Sequence, residues 1–211
     1  MDNNYKDYVF MDNKPVLKFE EMYKNCDDPW NISKEINQLP DYEFVLSFIR
    51  SYKIKEIKNE PQILEIGSGK GIFSEKIAEL GCLDGFEISQ TAVSYARKKH
   101  PEINFNCIDI KSEALDLKKK YDIIIFFRII WYVIDHIDIC MKNICNLLSL
   151  NGIVIFDINF YQGDYYGKNI ISNKKDFMNI LKKYFSIIES IDHYSDESDF
   201  NDFSIIVCKK K

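Results

Sequence analysis

Two carboxylates and a run of glycines are the residues of this chain whose types and spacing point most directly to chemistry. Segment 63–71 has the pattern of a buried strand that leads into a glycine-rich turn, spaced Glu-x-Gly-x-Gly-x-Gly from Glu65 to Gly71. Such a turn brings backbone N–H groups and a helix N-terminus against a ligand, with no Cβ in the way. The acid at the strand end would repel a pyrophosphate, whereas it suits a ligand that carries an ammonium or sulfonium charge.

The second carboxylate ends the next predicted strand, 85–89. Glu87 lies twenty residues after Gly67, where a βαβ unit places an acid on the ribose hydroxyls of a bound nucleoside. Its two oxygens accept from both hydroxyls, and each charge-assisted bond contributes about 1.5–3 kcal/mol. The alternative interpretation is a solvated acid at a strand end.

The pattern from Glu65 to Gly71 resembles motif I of the class I S-adenosylmethionine (SAM) dependent methyltransferases. The dinucleotide fingerprint and the phosphate-binding P-loop have other glycine spacings. The resemblance implies SAM as cofactor and S-adenosylhomocysteine (SAH) as product. It also implies that Asp109 accepts from the adenine amino group and that Ile110 covers the ring. The predicted cofactor-binding residues are Glu65, Gly67, Ser68, Gly69, Gly71, Glu87, Ile88, Asp109, Ile110, Phe127, Tyr23 and Trp30.

The predicted elements follow the order of the same family. Helices are predicted at 72–80, 91–100, 135–150 (with Asn151-Gly152 as its C-cap) and 177–184, and further strands at 104–108, 121–127, 152–158, 185–194 and 203–209. The continuous apolar run 121–127 is typical of a central parallel strand covered on both faces. The expected fold is α/β: a doubly wound, seven-stranded Rossmann-like sheet in three αβα layers, with the last strand antiparallel and ligands at the carboxyl ends of the strands.

Residues 1–40 are predicted to form an N-terminal helical arm, and residues 41–211 the SAM-binding domain. The arm has a predicted helix at 19–23 and a turn at 26–30. An aromatic residue followed by Asp-Pro-Trp resembles the nodulation-type N-methyltransferases, which implies an arm that folds over the cofactor. We hypothesise that Tyr23 and Trp30 close this pocket. The alternative is that Trp30 only fastens the arm to the body of the domain.

The segment after the fourth strand should indicate the methyl acceptor. Arg128, one of three arginines against 25 lysines, interrupts an apolar run there, and its planar fork fits anionic oxygens. We interpret it as a catalytic-site anchor for an anionic acceptor; a structural salt bridge, to an acid of the arm for instance, is the alternative. Related enzymes often carry Ser, Asp or Glu here, so no base is carried over. Tyr132 and His136 are the other catalytic candidates, His136 because its ordinary pKa lies near neutrality.

The loop after the fifth strand is unusually aromatic. Loops at the carboxyl edge of an open sheet line the ligand crevice, so Tyr161, Tyr165 and Tyr166 are substrate-side candidates, with Asp164 as a partner for an amine. Packing alone also explains such a loop.

Composition indicates one enzyme domain. With 211 residues and 46% hydrophobic content the chain has material for one core, and its net charge of −5 argues against a nucleic-acid partner. No apolar stretch reaches the length of about 18–20 residues that spans a bilayer. Six cysteines without a C-x-x-C pair indicate reduced thiols, and three histidines without ligand spacing argue against a metal site. We expect a cytoplasmic monomer or dimer, and the heavy use of Lys, Asn, Ile and Phe is typical of an AT-rich bacterial genome.

The sequence therefore predicts a SAM-dependent methyltransferase that acts on a small molecule. The favoured acceptor is an anionic metabolite that bears a phosphate or nucleotide, such as a precursor of capsule carbohydrate, methylated on oxygen. The alternative acceptor is the amine of an amino sugar or amino-acid-like compound, assisted by Asp164 or His136. A SAM-binding protein without transferase activity stays open because Arg128 stands where related enzymes often carry a Ser, Asp or Glu. An NAD-dependent oxidoreductase is disfavoured by the glycine spacing and by Glu65.

Overall fold

The computed structural model describes residues 5–12, 14–37, 40–56, 60–113, 115, 117–161, 163–194 and 202–211. The chain divides into two compact units, Met1–Asp109 and Ile110–Lys211. The first unit contains α1 (Lys6–Val9), β1 (Phe10–Met11), β2 (Lys14–Pro15), α2 (Phe19–Asn25), α3 (Ile32–Glu35), α4 (Pro40–Glu56), β3 (Gln62–Ile66), α5 (Ile72–Ala78), β4 (Cys82–Glu87), α6 (Gln90–Lys99) and β5 (Asn104–Cys107). The second contains β6 (Tyr121–Phe126), α7 (Ile130–Val133), a 3₁₀ turn (Ile134–His136), α8 (Ile137–Leu147), β7 (Leu148–Phe160), α9 (Lys174–Tyr184), β8 (Phe185–His193) and β9 (Asp202–Lys210).

The strands β3 to β9 follow the order β5-β4-β3-β6-β7-β9-β8 in one mixed sheet. Within the described residues, β9 runs antiparallel to both β7 and β8, whereas β3, β4 and β5 pair in parallel, as do β6 and β7. This is the predicted seven-stranded, Rossmann-like methyltransferase sheet with its last strand antiparallel, so the predicted fold class is confirmed.

The register of β3 and β4 decides where the two carboxylates lie. Ile66 is level with Phe86 across the parallel pair, and the Gly67 N–H donates to the Phe86 carbonyl oxygen at 2.8 Å. Both strands are almost completely buried, because a parallel strand is covered by helices on both faces. The glycine-rich turn after β3 and the acid that ends β4 are therefore neighbours.

The start of β7 corrects one prediction. The helix predicted over 135–150 ends at Leu147, and residues 148–150 already belong to β7. Leu148 pairs with Tyr121 of β6, after which the register shifts so that Ile123 pairs with Ile153. Gly152 is not a helix cap: it lies in the strand, where a Cβ would lie 2.8 Å from the Tyr121 carbonyl oxygen. Strand pairing to a distant segment overrides the local capping signal there.

Several smaller features complete the description. Residues 195–201, between β8 and β9, lie outside the described residues. Within the described residues, no helix combines the length and apolarity needed to cross a membrane. Of the six cysteines, all of them free thiols, three are buried, namely Cys26, Cys140 and Cys208.

Candidate functional site

The glycine-rich turn of the first unit has the backbone that its sequence predicts. Gly67, Gly69 and Gly71 have φ angles of +81°, +53° and +80°, a left-handed region that favours glycine. Space is also restricted at Gly69, where a Cβ would lie 2.8 Å from the Tyr23 hydroxyl oxygen. Gly71 forms the N-cap of α5, so the turn leads directly into the N-terminus of a helix.

Glu87 closes the other side of this turn. Its Oε2 accepts from the Gly69 N–H at 3.0 Å, and its Oε1 accepts from the Ser89 N–H at 2.9 Å. The residue is 6% exposed, and burial raises the pKa of its carboxyl group while the backbone donors lower it in part. The carboxylate is thus held in one orientation at the carboxyl end of β4.

Glu65 is the second buried acid of the first unit. Ser74, on the first turn of α5, donates its hydroxyl to the Glu65 carboxylate. Burial, helped by the nearby charge of Glu87 and opposed by the bond from Ser74, raises the pKa of Glu65 to about 7. A buried acid of this kind favours a cationic ligand group, because pairing would remove the cost of ionising it.

Four further residues predicted to bind the cofactor differ in exposure. Ile88 is a large apolar side chain that is 42% exposed immediately after β4, as a platform for a ring would be. Asp109 is half-buried. In the second unit, Ile110 and Phe127 are 5% and 7% exposed.

The arm residues singled out in the sequence contact each other and the turn. Tyr23, on α2, is 8% exposed, and the Trp30 Nε1–H donates to its hydroxyl oxygen at 3.3 Å. The Trp30 ring also packs against Tyr5, with centroids 4.7 Å apart. Together with the approach of Tyr23 to Gly69, these contacts lay the arm on the glycine-rich turn within the first unit.

Arg128 of the second unit has an unusual backbone and a buried partner. Its φ of +56° is left-handed, a conformation that costs a non-glycine residue about 1–3 kcal/mol and is concentrated at functional sites. Its Nε lies 3.9 Å from Oδ2 of Asp157 in β7. Asp157 is completely buried, so this ion pair holds Arg128 against the interior of the second unit. The remaining 29% of the arginine side chain is exposed.

Two of the predicted substrate-side tyrosines belong to an aromatic cluster of the second unit. The ring centroids of Tyr161 and Tyr165 lie 5.9 Å and 5.1 Å from that of Trp131. Trp131 is not among the site residues predicted from the sequence. The Trp131 indole N–H donates to the Asn159 carbonyl oxygen at 3.0 Å. Tyr161 is 43% exposed, so the cluster presents an aromatic edge to solvent beside β7.

The other candidates of the second unit are His136, Asp164, Tyr132 and Tyr166. His136 and Asp164 are exposed, and Tyr132 is half-buried. Tyr166 donates its hydroxyl to Asp135, and burial together with this bond raises its pKa to about 12. That bond gives Tyr166 a structural partner. Among the described residues, no group of three or more His, Cys, Asp or Glu side chains could hold a metal ion.

The structure also adds residues that sequence reasoning missed. Ser89 is the N-cap of α6, its hydroxyl accepting from the Ala92 N–H, and a serine before a helix is a recognisable signal. Glu20, Lys70 and Asp157 carried no such signal, because their partners lie 29 to 71 residues away in the chain.

Comparisons with known proteins agree with this geometry. The family model for nodulation protein S (NodS) matches residues 12–161. The chain is 29% identical over 136 residues to "Putative methyltransferase 235L" of Invertebrate iridescent virus 6, a match that covers 59% of this chain and 49% of the viral protein. The chain thus spans about half the length of the curated relative it matches.

Two solved structures illustrate the likeness in fold. The N-methyltransferase NodS from Bradyrhizobium japonicum WM9, in complex with SAH, superposes with a TM-score of 0.67 at 15% identity over 91% of this chain and 98% of its own. A SAM-dependent methyltransferase from Clostridium acetobutylicum ATCC 824 gives a TM-score of 0.67 at 17% identity, over 89% of this chain and 99% of its own.

The fold and the glycine-rich turn are those of the class I SAM-dependent methyltransferases. Within that class, the match over residues 12–161 shows that the chain belongs to the NodS family. The resemblance stated from the sequence is confirmed, and SAM is the cofactor of this class.

Proposed function

We propose that the protein transfers the methyl group of SAM to a small-molecule acceptor. The observation that carries the proposal is the placement of Glu87, whose two oxygens are oriented by the Gly69 and Ser89 N–H groups at the end of β4. A carboxylate oxygen has two lone pairs, so each can still accept a ribose hydroxyl. The buried Glu65 supplies a negative charge for a cationic amino-acid group, and Ile88 an apolar surface for adenine.

The residues present fit SAM and explain how the chain would use it. Bound SAM supplies an electrophilic methyl group on a positively charged sulfur, which a lone pair of the acceptor attacks in line. The chain has to hold the two partners in that geometry, and positioning alone contributes about 7–11 kcal/mol to such reactions. An anionic oxygen needs no base but needs a cation to hold it, whereas an amine must first lose a proton.

We propose an anionic acceptor, such as a phosphate- or nucleotide-bearing metabolite, held by Arg128. The support is the exposed part of the Arg128 side chain, its strained backbone and its ion pair with the buried Asp157. A guanidinium carries five N–H donors, so an ion pair at Nε is compatible with an anion at the terminal nitrogens. Methylation would then occur on oxygen, as in the synthesis of a surface carbohydrate.

An amine acceptor is the second candidate. The observation that favours it is membership of the NodS family, whose structural relative from Bradyrhizobium japonicum is an N-methyltransferase. Asp164 or His136, both exposed, would bind or deprotonate the amine. A protein that binds SAM without transferring the methyl group is the third candidate.

An Arg128→Ala substitution separates the candidates. With phosphorylated and amine acceptors screened by SAH release, the variant should raise KM for an anionic acceptor by about ten- to a hundredfold, the cost of one or two charge-assisted bonds. SAM affinity should not change. Arg50→Ala is the control, because Arg50 makes an exposed ion pair with Glu43. An unchanged KM would contradict the anionic class, and SAM binding without any turnover would favour the third candidate.

We also propose that residues 1–40 act as an arm over the cofactor and residues 41–211 as the catalytic domain. The contacts of Tyr23 and Trp30 with each other and with the turn support this division. We place the protein in the cytoplasm, as a monomer or dimer. A gel-filtration measurement of the molecular mass tests the oligomeric state.

A further inference from the structure

Glu20 and Lys70, which are not among the predicted cofactor-binding residues, fasten the arm to the cofactor site. Glu20 is on α2, in the arm, and its carboxylate accepts three hydrogen bonds from the start of α6. Its Oε2 accepts from the Ser89 hydroxyl at 2.7 Å and from the Thr91 N–H at 3.1 Å, and its Oε1 accepts from the Thr91 hydroxyl at 2.6 Å. These bonds lower the pKa of Glu20 to about 2, so the carboxylate is ionised at any physiological pH.

Lys70 makes the second fastening, at the other end of α2. It belongs to the glycine-rich turn and is 9% exposed, although an ammonium group is rarely buried unless it is paired. Its Nζ donates to the carbonyl oxygens of Asp27 at 2.7 Å and of Cys26 at 3.2 Å, both in the turn that follows α2. It also lies 4.9 Å from the ring centroid of Tyr95 on α6.

Glu87 connects the two fastening points. One of its oxygens accepts from the Gly69 N–H, next to Lys70 in the chain, and the other accepts from the N–H of Ser89, the residue whose hydroxyl binds Glu20. A ligand hydroxyl that binds Glu87 therefore binds a carboxylate that is hydrogen-bonded next to Lys70, at Gly69, and to Ser89, the partner of Glu20. Between them, the Tyr23 hydroxyl approaches Gly69 closely.

We propose that Glu20 and Lys70 are positioning residues that latch the arm over the glycine-rich turn and set how long the cofactor stays bound. This inference rests on the proposed function, because it takes SAM or SAH as the ligand of that turn. A ligand covered by the arm leaves at the rate at which the arm opens. Affinity and arm closure are then coupled in both directions, as linkage requires.

Glu20→Ala tests the latch with a closely matched control, Glu21→Ala. Both glutamates lie on α2, but Glu21 is exposed and pairs only loosely with Lys18, at 3.8 Å. Glu20→Ala should increase the dissociation rate of SAH in stopped-flow measurements by at least about tenfold, which corresponds to one of the three charge-assisted hydrogen bonds that the variant loses. Glu21→Ala should leave it unchanged. Lys70→Met, with the exposed Lys98→Met as control, should act in the same direction.

Limited trypsin digestion of the ligand-free proteins tests the latch without any cofactor. Cleavage of a native segment reports how often it opens. Lys24 and Lys18 are the ion-pair partners of Glu20 and Glu21 themselves, so the site to follow is Lys34, an exposed lysine elsewhere in the arm. Glu20→Ala should be cut there faster than Glu21→Ala, and SAH should protect the wild type more than the Glu20 variant. A lower melting temperature with unchanged SAH release and unchanged cleavage would overturn the latch, because a merely structural contact gives that result.

The two experiments separate the latch from the proposed function. Failure of the wild-type protein to bind SAH would overturn the proposed function and the coupling to cofactor release. The digestion would still decide whether Glu20 and Lys70 hold the arm closed. Equal cleavage of the wild type and all variants would overturn the role of Glu20 and Lys70 in holding the arm closed.

Discussion

Substitution of Glu65 by glutamine should change how the stability of the protein depends on pH. The raised pKa of Glu65, from 4.5 to about 7, means that the folded protein holds this proton more tightly than the unfolded chain does. The stabilisation is therefore complete below pH 4.5 and is lost as pH rises to about 7. The total loss is about 3 kcal/mol of unfolding free energy. Glutamine has no proton to lose and can still accept from the Ser74 hydroxyl.

Urea denaturation of both proteins at several pH values measures this effect. Between about pH 5 and about pH 8, the unfolding free energy of the variant relative to the wild type should rise by about 2.5 kcal/mol. Glu87, whose pKa is also raised, contributes to both proteins and largely cancels in the difference. Glu75→Gln, which changes an exposed carboxylate next to Ser74 on α5, is the control and should show no such trend. Parallel stability curves for wild type and Glu65→Gln would refute the argument that burial controls this acid.

Two further substitutions test packing in the first unit. Gly85→Ala places a Cβ 2.5 Å from the Phe105 ring, so it should lower the unfolding free energy by about 1–3 kcal/mol; an unchanged urea midpoint would contradict this close approach. Trp30→Ala removes the donor to Tyr23 and should weaken SAH binding by about fivefold, the value of an ordinary hydrogen bond, as measured by calorimetry. Unchanged affinity with a lower melting temperature would mean that Trp30 only fastens the arm.

The parts of the fold and site that the sequence predicted depend on neighbouring residues. The strand, glycine turn and helix around Glu65 are encoded within 17 positions, from Gln62 to Ala78, and the acid Glu87 follows one βα unit later. The φ angles of the glycines and the N–H bonds to Glu87 agree with that pattern. Short-range patterns suffice there because the glycines of the turn permit the positive φ angles that its backbone requires.

The parts that could not be predicted depend on distant residues. The end of α8 is decided by pairing of Leu148 with Tyr121, which overrides a good local cap signal. The ion pair of Arg128 with Asp157 and the bonds of Glu20 to Thr91 join residues far apart in sequence. Nothing in the local sequence of Glu20 distinguishes it from Glu21, its neighbour on the same helix, so only the folded structure assigns it a role.

Calorimetric titration with SAM and SAH tests the central claim most directly, with NAD as a control ligand and Glu87→Ala as the negative variant. Loss of two charge-assisted bonds to the ribose should weaken binding by at least about a hundredfold. The account predicts binding of both sulfur ligands to the wild type, this weakened binding for the variant, and no binding of NAD. Equal affinity of wild type and variant for SAH, or binding of NAD alone, would contradict it.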